Sequence, residues 1–214
     1  MSQINVDPKV YELLTAVHDV IEPLHIDYAI GGALAMAAAG YARHTKDVDL
    51  FVTEPGRIKS LMAFRRAGYI VTPVFEPHHY AVYPREGIDD PEVRIDLMIP
   101  AGEPDLSAIE YPSRAALTKG GGEFNVVEPN LLAVMKYVSD RDKDADDMKA
   151  MYRHGVFDPD IVREIVVHLA GDDDADIAEA GAEYDKVIAS FREKRRTSKP
   201  KVTRGYTPPG SKKR

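Results

Sequence analysis

The chain has 214 residues, 44% hydrophobic and 29% charged, an ordinary globular mixture able to bury a core. It contains no cysteine, which excludes disulfides, thiolate metal sites and cysteine nucleophiles. The net charge of −7 is unevenly spread: from Arg192 to Arg214 ten Lys or Arg stand against one Glu, leaving roughly −16 on the residues before them.

No apolar run approaches the ~20 residues of a membrane helix, and no charged-then-apolar leader opens the chain, so a cytoplasmic location without membrane contact is expected. Asp7 can cap a helix beginning at Pro8, with Val10, Leu13, Leu14, Val17 and Ile21 on one face and Pro23 ending it. "HIDYAI" reads as a short strand running into Gly31 and Gly32, and a helix from Ala33 to Ala39 stops at Gly40. "DVDLFV" is the second strand, and a helix over Arg57 to Ala67 closes at Gly68. Three strand-like pieces follow, "YIVTPV", "HYAVYP" and "VRIDLMI". The stretch from Pro104 to Glu123 specifies no element, its "KGGG" reads as a loop, and "FNVV" as an edge strand.

After Glu128 the pattern turns helical. Leu131, Val134, Met135 and Val138 form one stripe at helical spacing, and a second helix starts near Asp142. A third spans Asp158 to Ala170, ended by Gly171, and the last runs from about Asp174 to Phe191 with Ala180, Tyr184, Val187, Ile188 and Phe191 facing inward. The expected fold class is therefore α+β. A mixed β-sheet core with flanking helices occupies residues 1–127, a helical region residues 128–191, and a basic, disordered tail residues 192–214. That tail reads either as an electrostatic hand for a nucleic acid or another polyanion, or as a solubilising end that answers the acidic body.

Within "DVDLFV", Asp47 and Asp49 are two residues apart and so share a face, ~6.6 Å apart along the strand, while Val48 and Leu50 point into the core. "VRIDLMI" repeats the anomaly with Asp96 between Ile95 and Leu97. If the two strands are neighbours, three carboxylates converge, and such a cluster repels itself unless protons or cations neutralise it. Hard oxygen ligands suit Mg²⁺ or Mn²⁺, one ion or a pair, rather than zinc. The bland alternative is a set of solvent-facing aspartates on the polar side of an amphipathic sheet. Gly31 and Gly32 supply a strand-to-helix turn where backbone can approach an anion closely.

These motifs resemble the nucleotidyltransferase superfamily, the DNA polymerase β-like fold. The shared signature is a small-residue pair (Gly31, Gly32), a helix, Asp-x-Asp on the next strand (Asp47, Asp49) and a third carboxylate in "RIDLMI" (Asp96). The later "LLAVMKYVSDRDKDADDM" resembles the Lys…Arg-x-Lys-Asp-x-x-Asp helix pair of the branch holding AbiEii-type toxins and small stand-alone nucleotidyltransferases. Antibiotic nucleotidyltransferases are related more loosely. The likeness spans roughly Tyr28 to Met151. Gly-Gly stands where many members have Gly-Ser, and the basic tail lies outside the familial pattern.

The resemblance implies transfer of a nucleoside monophosphate from a nucleoside triphosphate, such as ATP, to an acceptor hydroxyl, with release of pyrophosphate. Asp47, Asp49 and Asp96 would be the catalytic metal ligands, and Asp96 would also take the acceptor's proton. Gly31, Gly32, Lys136 and Arg43 would bind the nucleotide. Arg43 and Lys46 sit in "ARHTK", which reads as a surface turn, and Lys136 could equally be a solvated lysine. Arg141, Asp144 and Asp147 would support the site: Asp144 and Asp147 share a helical face with Met148 and Met151, so a partner such as Arg141, Lys143 or Lys136 is expected.

His78 and His79 read as turn or surface residues, and no elbow motif supports a Ser/His/Asp nucleophile. The acceptor stays open between an RNA end such as transfer RNA, a small hydroxyl compound such as an aminoglycoside or lincosamide, and a protein side chain. A toxin-type enzyme would bring an antitoxin partner. A catalytically silent nucleotide-binding or interaction protein is the alternative class.

Overall fold

The apolar stripe of the first helix, α1 (Pro8–Ile21), is buried as its spacing demands, with Val10, Leu13, Leu14, Val17 and Ile21 at most 1% exposed. Pro23 lies in the single 3₁₀ turn that closes it. The computed structural model describes residues 8–85, 90, 92–117, 122–139 and 141–193, of residue 193 the backbone alone; Asp7, the expected cap, and the tail from residue 194 onward lie outside these.

Seven strands among the described residues form one mixed sheet: β1 (Tyr28–Ile30), β2 (Asp47–Val52), β3 (Ile70–Phe75), β4 (His79–Tyr83), β5 (Arg94–Met98), β6 (Ser113–Ala116) and β7 (Glu123–Val126). Their order is β3-β4-β5-β2-β1-β7-β6, with β2 parallel to β5, β1 parallel to β7, and the other neighbours antiparallel. The middle strands explain the sequence pattern. Val48, Leu50, Ile95 and Leu97 are fully buried, whereas Asp47, Asp49 and Arg94 alternate with them on the other face and are only partly covered.

Between the strands run α2 (Gly32–Ala38), α3 (Glu54–Arg66) and α4 (Asp105–Glu110). Helices α5 (Pro129–Tyr137), α6 (Asp142–His154), α7 (Pro159–Leu169) and α8 (Asp174–Glu193) follow the sheet. The Glu128 and Asp158 side chains cap α5 and α7 by accepting backbone N–H bonds, each just ahead of a proline in the first turn. Helix α5 joins the two halves by packing on α2 as well as on α6 and α7. No helix of the described residues is long and apolar enough to cross a membrane.

The expected α+β class, with a mixed sheet, flanking helices and a helical C-terminal part, is the observed one. Three local expectations change. "FNVV" is an inner strand, β7, because "SRAA" supplies β6 outside it. Nothing in the composition of "SRAA" marks a strand; its ladder to β7 and the Arg114 bonds to Asn125 and the Glu123 carbonyl hold it. The unassigned stretch before it contains α4. The buried face of α5 comprises Leu132, Ala133, Val134 and Lys136, while Val138 lies past the helix end and is 51% exposed. Helices pack against α5 on several sides, so its covered face is broader than one stripe and turned from the expected one.

Tyr184, on α8, is 1% exposed, and its ring meets Tyr137 edge-on at 5.3 Å. Its buried hydroxyl finds no hydrogen-bond partner among the described residues. Burying an unpaired hydroxyl costs about 1–3 kcal/mol. Tyr184→Phe keeps the ring and removes the orphan, so a gain of about 1 kcal/mol in unfolding free energy is expected by urea titration; a clear loss would show that the hydroxyl is satisfied.

Candidate active site

Register brings the acidic residues together. On the parallel pair β2–β5, Asp49 lies opposite Asp96 and Asp47 opposite Arg94, so all four project from one face with strands ~4.8 Å apart. The glycine turn abuts them: the Gly31 N–H donates to the Asp49 carbonyl at 2.8 Å, and Gly32 opens α2 with φ +55°. A Cβ on Gly32 would stand 1.7 Å from Asp49 Oδ2. Both the left-handed backbone and the packed carboxylate therefore require glycine. A serine at Gly32 would have to displace the Asp49 carboxylate.

Asp49 is partly buried and its carboxyl is pushed up to about 6, first by loss of water, then by the charges of Asp47 and Asp96, with Lys136 and Lys143 opposing. Asp47 accepts a short hydrogen bond from the Thr45 hydroxyl. Asp96, 6% exposed, is held from two sides. Arg94 Nε donates to Oδ1 at 2.9 Å and Oδ2 at 3.1 Å, and His79 Nε2 lies 2.8 Å from Oδ1.

Among the described residues, no three of His, Asp and Glu are gathered tightly enough to hold a metal unaided. The donor set still fits a hard divalent cation: Asp47 and Asp49 are carboxylates two residues apart on one face of β2, with Asp96 opposite Asp49 in register. Asp96 shares their face, with its oxygens turned to Arg94 and His79.

A second cluster lies between α5 and α6. Lys136, expected to be either a phosphate ligand or solvated, is 7% exposed and donates to Asp144 at 2.5 Å and Asp147 at 2.8 Å. Asp144 also accepts from Ser139 at 2.7 Å and Arg141 at 2.5 Å. Burial pushes the Asp144 carboxyl up, but these donors outweigh it and hold it below the usual carboxylate range. Asp147 pairs with Arg43 at 3.2 Å, tying the loop before β2 to α6. The expected partners of the two aspartates are thus Lys136 and Arg141, joined by Arg43.

Lys143 instead lines a cleft of about 410 Å³ beside Asp47, together with Arg43, His44, Thr45, Lys46, Glu92 and Arg94. Lys46 is bonded to Glu92 at 2.7 Å and lies 3.6 Å from Asp90. Five of the eight lining residues carry basic side chains, counting His44, against Asp47 and Glu92, so the surface turn "ARHTK", with Ala42 and His44 exposed, also forms one wall of an open cleft. The loop's own residues look polar and solvated in sequence; its ion pairs to Asp147 on α6 and to Asp90 and Glu92 ahead of β5 shape the cleft.

Sequence reasoning missed His79 and Arg94. His79 opens the expected strand "HYAVYP", β4, but is drawn toward the site rather than left at the surface, because pairing with β5 puts Ala81 opposite Asp96 and His79 diagonal to it. No sequence spacing shows a diagonal across two strands. Arg94 was legible, since residues two apart on a strand share a face and it precedes Asp96 by two.

The family described as "Nucleotidyltransferase of unknown function (DUF6036)" has a model that matches residues 9–198, and the chain belongs to that family. No curated protein matches. Among solved structures the chain is similar to the antibiotic-resistance factor ANT(2'')-Ia, with 13% identity, coverage of 87% of this chain and 95% of that one, and a TM-score of 0.43. It is also similar to the lincosamide antibiotic adenylyltransferase LnuA, with 13% identity, coverage of 68% and 96%, and a TM-score of 0.42. A CCA-adding enzyme in complex with CTP has 14% identity, coverage of 85% and 53%, and a TM-score of 0.39.

Two outcomes test this geometry. Because the folded Asp49 carboxyl titrates near 6, above its ordinary value, ionising it opposes folding once the pH exceeds about 4. In chelator-treated protein Asp49→Asn is expected to be more stable than the parent by about 2 kcal/mol at pH 8, the difference vanishing below pH 4; equal denaturation midpoints at pH 8 would contradict it. Lys136→Met removes the buried cation that Asp144 and Asp147 share, leaving Asp144 to Ser139 and Arg141 and Asp147 to Arg43, and is expected to cost about 3 kcal/mol in denaturant unfolding. A loss below about 1 kcal/mol would mean that the lysine is not the clamp described here.

Proposed function

We propose, with membership of this nucleotidyltransferase family as the premise, that the chain is a metal-dependent cytoplasmic enzyme moving a nucleoside monophosphate from a nucleoside triphosphate onto an RNA end. One observation carries the reading: Asp49 packed against the Gly32 turn and in register with Asp96, beside a cation-lined cleft. The glycine turn lets the nucleotide's phosphates approach the backbone, and Arg43, Lys46, Arg94 and Lys143 balance their charge. Lys136 acts through Asp147, which fixes Arg43 at the cleft wall.

A divalent cation held by Asp47 and Asp49, with Asp96, would supply Lewis-acid stabilisation of charge on the entering and departing oxygens. The acceptor oxygen forms a bond to the α-phosphorus as the bond from that phosphorus to the bridging oxygen breaks. Asp96 takes the acceptor's proton, and pyrophosphate departs with the electron pair.

The cleft favours an anionic acceptor over a cationic drug, because its guanidinium and ammonium groups repel an aminoglycoside and attract a phosphodiester. The basic residues from Arg192 to Arg214 support the same choice. Likeness of "KYVSDRDKDADDM" to the AbiEii-type helix pair suggests a toxin restrained by an antitoxin.

With purified protein, Mg²⁺ and each of the four NTPs, labelled nucleotide is expected to enter RNA, with equimolar pyrophosphate released. Asp47→Ala and Asp49→Ala should lower this by at least about a thousandfold while the circular dichroism spectrum stays native. Undiminished transfer by either variant refutes the metal role, and labelling of an aminoglycoside but not RNA refutes the acceptor.

A further inference from the structure

The proposed site contains an internal competitor. Asp96 Oδ2 faces Arg94 Nε at 3.1 Å, and the same nitrogen bonds Oδ1 at 2.9 Å, so one N–H is shared between both oxygens of the carboxylate. His79 touches Oδ1 only, at 2.8 Å. The Arg94 side chain is 31% exposed while that of Asp96 is 8% exposed; the arginine lines the cleft and lies opposite Asp47 in register. Arg94 lines the cleft and Asp96 does not. Two positive groups cannot share one carboxylate without mutual repulsion, whereas a guanidinium and a phosphate suit each other through paired hydrogen bonds.

We propose that Arg94 exchanges partners during nucleotide binding. With the cleft empty it neutralises Asp96 and weakens the affinity of the carboxylate face for a divalent ion. When a metal-bound triphosphate enters, Arg94 passes from Asp96 to the phosphate oxygens. Oδ2 is then open to the cation while Oδ1 keeps His79, which holds the carboxylate in its orientation. Arg94 thereby makes metal and nucleotide bind together, and keeps the site from loading metal alone. This rests on the nucleotidyltransferase reading above, and it assigns a positioning role to a residue outside the family's carboxylate signature.

The test titrates Mn²⁺ alone, by calorimetry, into the full chain without nucleotide or acceptor, and then titrates a non-hydrolysable ATP analogue in the presence of Mn²⁺. Arg94→Gln is expected to bind Mn²⁺ about tenfold more tightly than the parent and the analogue about tenfold more weakly. Arg94→Lys keeps the charge but places it on a flexible, strongly hydrated ammonium, so its Mn²⁺ affinity should fall between the two; it decides the matter alone if Arg94→Gln does not fold. Mn²⁺ affinity that is unchanged, lower or undetectable in the variants overturns the exchange, as does unchanged affinity for the analogue. Neither titration requires transfer, so a parent protein that binds as described but releases no pyrophosphate would sink the catalytic reading and leave the exchange standing.

Discussion

The parallel pairing of β2 with β5 is the constraint from which the site follows. It sets Asp49 directly against Asp96 and Asp47 against Arg94, and a slip of one residue would turn every one of these groups into the core and bring Val48 and Ile95 out. The buried side of the same strands enforces the register, since Val48, Leu50, Ile95 and Leu97 are fully covered. Core and chemistry are thus two faces of one ladder, and hydrophobic burial on one side supports charge concentration on the other.

That concentration has to be balanced, and the molecule does so in three ways. Gly32 admits the Asp49 carboxylate where any side chain would collide with it. Arg94 neutralises Asp96, and His79 lies within hydrogen-bond distance of the same carboxylate. Lys136 and Lys143 ease the charge on Asp49 from the helical side. The last of these makes the C-terminal helices part of the site rather than an appendage, because α5 and α6 carry the two lysines. The Arg43–Asp147 pair then fastens the loop that leads into β2 to α6. A buried ionic cluster of this kind is a poor source of net stability but a strict one of geometry, since any single missing partner leaves a charge in low dielectric.

A cleft walled mostly by basic groups, beside a carboxylate face, separates two tasks. On the function proposed above, the acidic side would take a cation and the basic side phosphates, so a metal-bound polyphosphate would satisfy both at once while either component alone would satisfy only one. Family membership and this division of charge point to the same class of chemistry.

Much of this was legible along the chain. Period-two alternation in "DVDLFV" and "RIDLMI" marks strands with carboxylates on one side, and the glycine pair marks the turn; the α1 stripe and the inward face of α8 follow from helical spacing alone. Tertiary structure decided the rest, for physical reasons that act between distant segments. "SRAA" becomes a strand only because β7 offers a ladder, and Lys136 is buried only because α6 brings two aspartates to it. His79 meets Asp96 only through the diagonal of an antiparallel pair. Local pattern determines which residues form strands and helices and which sides are apolar; the partner of a buried charge depends on what another element delivers, and no spacing within one segment encodes that.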